Sequence, residues 1–133
     1  MAVEVAGTWE LGWSAPKTEM DLWWAVMRSY DIQMLHMTPV SGLQHKMLTE
    51  YDSYDDILET TELTPVFVHE GAETELDDFV HPDDALYVFG KANFSPFAAF
   101  GEGRASVRID CPQPGMFWPH QALALVMRHR GRP

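Results

Sequence analysis

The chain has 133 residues, a formal net charge of −11 and a hydrophobic fraction of 46%, including five Trp, seven Phe and eight Met. That length supports one folded core, and that apolar content excludes a disordered polyelectrolyte. The lone Cys111 can form no intramolecular disulfide, no apolar run reaches the length of a membrane span, and the first residues lack a signal-peptide pattern, so a cytoplasmic protein with no membrane role is expected.

In chain order, Val3 to Leu11 carries Val, Thr and Trp and stops at Gly12 and the Ala15-Pro16 step, which predicts a first strand. Thr18 to Asp21 resembles a helix start, and Leu22, Trp23, Val26, Met27 and Tyr30 follow at helical spacing. Ile32 to Met37 is a short apolar run stopped by Thr38-Pro39, as a buried parallel strand would be, giving a strand-helix-strand unit. Ser53 to Asp56 reads as a second capped helix, with Ile57 and Leu58 on one side, and Thr64 to His69 as a third strand. Ala85 to Phe89 is a strongly apolar five that ends on Gly90 and is expected to be the central strand. A Gly-, Phe- and Ala-rich loop to about Arg104, a strand at Ser106 to Ile109 and a closing helix at Trp118 to Arg130 complete the pattern. The expectation is one domain, residues 1–133, of the α/β class, with a mainly parallel sheet and flanking helices.

Charge is uneven along this pattern. Residues 47–90 hold 13 of the 20 acids and no Lys or Arg, whereas Arg128, Arg130 and Arg132 cluster at the end. A solvated face accounts for the acids; a surface that docks on a basic partner is the rival reading. His69, His81, Asp83 and Asp84 match no metal-ligand spacing and read as a solvated loop, and Cys111 with His120 reads as a buried thiol and a helix-start histidine.

Parallel sheets bind ligands outside the carboxyl ends of their strands. Three segments end strands in the expected way: Trp13 to Thr18, Gly90 to Pro96, and Asp110 to Trp118. Their order resembles the SpoU branch of the SPOUT RNA methyltransferases. The family's proline-containing strand end, leading through a helix into a hydrophobic strand, is similar to Ala15-Pro16-Lys17-Thr18 followed by Asp31-Ile32 and Gln33 to Pro39. Its hydrophobic strand ending in glycine is similar to Leu86 to Ala92. Its third motif, running into the last helix, is similar to Ile109-Asp110-Cys111-Pro112, Met116 to Ala122 and Met127 to Arg130. The resemblance covers about residues 9–130 and implies a C-terminal trefoil knot enclosing S-adenosylmethionine.

By the same resemblance, Phe89, Gly90, Lys91, Ile109, Cys111, Met116 and Phe117 would surround the cofactor, although the apolar residues among them serve equally as core. Methyl transfer to a ribose hydroxyl needs proton removal and phosphate positioning, for which Arg28 and Arg104 are the candidates. The implied partners are an RNA substrate and a second copy of the chain, joined through the first and last helices, with one of Trp23 and Trp24 buried between subunits. Five positions depart from the family: Glu19 stands where its motif Asn falls, Ala25 where its helix Arg falls, Lys91-Ala92 replaces Asn/Pro-Glu, and Trp118 replaces an Asn. Those departures support a rival reading, a catalytically degenerate protein on the same fold that binds cofactor or a protein partner.

Overall fold

A computed structural model describes residues 2–10, 15–91, 95–111 and 117–131. Six strands form one parallel sheet: β1 (Val3–Thr8), β2 (Leu35–Thr38), β3 (Leu48–Glu50), β4 (Thr64–Val68), β5 (Ala85–Val88) and β6 (Ala105–Val107). Their order is β3-β2-β1-β5-β4-β6, so β1 and β5 are the central pair. The chain steps from β1 outward through β2 to β3, then crosses to the other half. Parallel neighbours require such crossovers, and helices supply most of them. These are α1 (Pro16–Met27), α2 (Tyr54–Thr60), α3 (Pro96–Phe100) and α4 (Pro119–Arg130).

The alternation of strand side chains divides the core into two layers. Val5, Leu35, Met37, Val66, Ala85, Tyr87 and Val107 face α1 and α4, where they pack on Met20, Trp23, Met27, Leu123 and Val126. Ala6, Phe67, Leu86 and Val88 face Tyr54 and Ile57 of α2, with Phe97 and Phe100 of α3 packed alongside. Both faces of β5 are buried, which is why Ala85 to Phe89 reads as an unbroken apolar run.

Several boundaries differ from the sequence expectation. Helix α1 begins before Thr18: extended Ala15 is its N-cap and Pro16 occupies the first turn, where its missing N–H costs nothing. The second helix start is as read, with Ser53 Oγ accepting from the Asp56 N–H at 3.3 Å. Three elements lie where the sequence predicts none: a 3-10 turn at Leu76–Asp78, strand β3 and helix α3. The edge strand β3 has only three half-buried residues, too few for a periodic signal. Helix α3 was read as loop; its apolar Pro-Phe-Ala-Ala-Phe is held on the sheet by Phe67 and Phe97, ring centroids 6.1 Å apart.

At the amino edge, His81 Nδ1 and the Tyr87 hydroxyl are 2.8 Å or less apart, at 2.6 Å, while His81 Nε2 lies 2.8 Å from His129 Nδ1. Arg130 donates to the Pro82 carbonyl, the Asp83 carbonyl and the Tyr87 hydroxyl. These bonds fasten the end of α4 over the central strand.

Candidate functional site

Continuing the strand register past the last paired residues sets Thr8 and His69 on either side of Gly90, with Arg108 beyond His69. The carboxyl ends of β1, β5, β4 and β6 therefore open at one level. Phe89 is 2% exposed and wedged edge-on against Trp23 at 5.6 Å. Its N–H donates to the Ala6 carbonyl at 2.9 Å, and its carbonyl accepts from the buried Tyr54 hydroxyl at 2.6 Å. Phe89 is thus a fixed floor with both backbone groups occupied, and the half-buried Gly90 is where the strand end becomes accessible.

Ile109 and Phe117 are partly buried against the layer beneath α1 and α4, and Cys111 is half-buried beside them in sequence. On the far side of Gly90, the Ser95 hydroxyl and His69 Nδ1 are 2.8 Å apart, and the His69 ring stacks on Phe97 at 4.7 Å. His69 accordingly belongs to the loop end of β4 and His81 to the α4 clamp. Among the described residues no three His, Cys, Asp or Glu side chains are grouped to hold a metal ion.

A crevice opens between the end of β1, the first half of α1 and the start of α4, lined by Thr8, Glu10, Glu19, Leu22, Trp23, Trp118, Pro119 and His120. Glu19 is 6% exposed. Its Oε1 accepts the Glu10 N–H at 2.8 Å, while its Oε2 is buried with no hydrogen-bond partner among the described residues. Burial pushes this carboxyl above its usual range, the Glu10 hydrogen bond works against that, and the charge of Glu10 adds to it while Lys91 opposes it. Burial also lowers His120 on the facing wall. Behind β1, Trp9 Nε1 donates to Glu50 Oε2 at 2.7 Å, and Ser41 and Gly42 donate to the same carboxylate. Burial alone would raise Glu50, but those donors bring it below the usual range.

The structure thus brings Phe89, Gly90, Lys91, Ile109, Cys111 and Phe117 to one edge of the sheet; Met116 lies outside the described residues. It does not bring Arg28 or Arg104 there. Arg28 caps the far end of α1, which at 1.5 Å per residue lies about 18 Å back from its start. Arg104 is exposed and precedes β6, about four strand residues or ~13 Å short of the level of Arg108. The sequence reading missed the crevice itself; its only signal was the pair of departures at Glu19 and Trp118, which α1 and α4 place on its walls.

This fold is shared with solved structures of SpoU and TrmH type RNA methyltransferases. A Bacillus anthracis protein assigned as an RNA methyltransferase superposes with a TM-score of 0.71 at 13% identity, over 96% of this chain and 91% of that one. An RNA 2′-O ribose methyltransferase gives 0.76 at 12% identity, over 96% and 55%. The SpoU methyltransferase AviRb from Streptomyces viridochromogenes, in complex with AdoMet, gives 0.72 at 8% identity, over 96% and 56%. This chain therefore spans nearly all of the first and little more than half of the other two. No protein-family model and no curated protein sequence matches it. No helix among the described residues is long and apolar enough to cross a membrane.

Proposed function

We propose that this protein is an S-adenosylmethionine-dependent RNA methyltransferase acting on a ribose 2′-hydroxyl. The observation that carries the reading is the convergence of the β5, β4 and β6 ends on Gly90, in a fold shared with the RNA 2′-O ribose methyltransferase and the AdoMet-bound AviRb. The residues fit the cofactor: partly exposed Ile109, Cys111 and Phe117 offer apolar and polarizable surface for an adenine ring, and the backbone beyond the occupied groups of Phe89 offers edge donors and acceptors. When bound, S-adenosylmethionine supplies an electrophilic methyl group on a sulfonium. The chain supplies a fixed floor at Phe89 and close approach at Gly90.

Two further features belong to this proposal. The chain leaves β6 at the edge of the sheet, yet α4 returns to pack on α1 over its centre; that path suits a trefoil threaded past Gly90, an exception to the usual unknotted topology. A homodimer through α1 and α4 would cover Leu22, Trp118 and Leu125, which are 36%, 45% and 37% exposed. Trp23 is core and Trp24 packs on His45 at 5.7 Å, so these three side chains rather than the tryptophan pair form the candidate contact.

Calorimetric titration with S-adenosylmethionine, with Gly90→Val in parallel, tests the reading. Saturable binding with a Kd of about 1–100 µM, abolished by Gly90→Val, is the expected result. No binding by a folded wild-type protein would overturn it. The distance of Arg28 and Arg104 from Gly90, together with the exposed acids of residues 52–84, favours the rival, a partner-binding protein on the same fold; it predicts no methyl transfer even when cofactor binds.

A further inference from the structure

The Glu19 crevice holds a polar atom that the fold itself leaves unused. A buried carboxylate oxygen without a donor is costly, because desolvation is not repaid by a hydrogen bond. Glu19 has one oxygen bonded by the Glu10 N–H, which fixes the orientation of the carboxyl; the other has no hydrogen-bond partner among the described residues and is buried, on a residue that lines the crevice. The space there is water-sized, walled by Thr8, Trp23, Trp118 and Pro119, and accommodates a hydroxyl better than the broad edge of a base. The surroundings also make the group basic, since burial and the Glu10 charge both disfavour its ionised form.

We propose that Glu19 Oε2 accepts the hydrogen bond, and then the proton, of the ribose 2′-hydroxyl that is to be methylated. This rests on the methyltransferase reading above. As the O–H bond breaks, its proton passes to Glu19, and the oxygen forms a bond to the sulfonium methyl carbon. The carbon–sulfur bond breaks with its electron pair remaining on sulfur, so a methyl ether, a neutral thioether and a protonated Glu19 result. The chain then needs no arginine at this position for proton removal, consistent with the remote placement of Arg28 and Arg104.

The test is a thermodynamic cycle between protein and ligand. A mixed-sequence RNA hexamer and its 2′-deoxy counterpart are titrated into wild type and Glu19→Gln, with and without S-adenosylhomocysteine, alongside a separate S-adenosylmethionine titration. Gln keeps the shape and the acceptor for the Glu10 N–H but turns the free position into a donor, and its thermal midpoint serves as the folding check. Wild type should bind the RNA hexamer about 5–10-fold more tightly than the deoxy form, and Glu19→Gln should reduce that preference to less than about twofold. A preference retained in Glu19→Gln, equal binding of both hexamers by wild type, or binding of neither overturns the proposal. A Glu19-dependent preference without S-adenosylmethionine binding upholds the hydroxyl site and refutes the methyltransferase reading. The converse pattern upholds that reading and removes Glu19 from it.

Discussion

His81 makes stability depend on pH in a direction fixed by its surroundings. Burial holds its pKa down to about 4, and the neighbouring His129 and Arg130 add to the effect. In the unfolded chain it titrates near the ordinary histidine value of about 6.5. Between those values the unfolded state binds a proton that the folded state refuses. The stabilisation is therefore fully present above about pH 6.5 and is lost as pH falls toward 4, with a slope of up to ~1.4 kcal/mol per unit. Because His81 is only half-buried, solvent screening reduces the whole effect to about 1–2 kcal/mol. Gln in its place keeps polar contacts near Tyr87 and His129 but does not titrate. Urea unfolding followed by Trp fluorescence at about pH 7.5 and about pH 5 should show wild type losing ~1–2 kcal/mol more than His81→Gln across that interval. Glu19, Glu50 and His120 titrate in both proteins and cancel in the difference. Equal losses would refute the claim that the clamp on α4 keeps His81 neutral.

Three further outcomes follow from named contacts. Glu19→Gln should raise stability at neutral pH by about 1 kcal/mol, because the raised pKa of Glu19 marks a carboxylate that folding must either bury charged or protonate; the gain should vanish as pH falls below the unfolded value of about 4.3, and thermal unfolding across that range measures it. Tyr54→Phe leaves the Phe89 carbonyl without its donor and should cost about 1–3 kcal/mol in denaturant unfolding. Leu125→Glu puts a charge on the exposed stripe of α4; analytical ultracentrifugation should find the wild type dimeric and this variant monomeric with an unchanged thermal midpoint, and a monomeric wild type would refute the α1 and α4 interface.

The elements legible in the sequence were those whose signal is local. Ala85 to Phe89 is apolar on both faces because the strand is buried on both faces, and the helices were legible from helical spacing, with Trp23 and Met27 of the first and Leu123 and Val126 of the last facing the sheet while Leu22 and Tyr30 are exposed. Helix α3 and strand β3 were not legible: five and three residues cannot establish a period, and both are held by partners distant in sequence.

The site divides in the same way. Gly90, read from the sequence as the end of an apolar strand, lies at the carboxyl edge of the sheet, level with Thr8 and His69. Helix direction sets the place of Arg28, since α1 runs back from the end of β1 and carries it away from the edge that Glu19 occupies. What the sequence determined by itself was the alternation of strands and helices, and with it a parallel sheet whose carboxyl edge collects the chemistry. Only the tertiary structure decided which polar atoms are left unpaired at that edge. Glu19 and Trp118 are far apart in sequence, and they share a crevice because α1 and α4 pack on the same face. An unpartnered oxygen is a property of everything that surrounds it, and no local pattern encodes it.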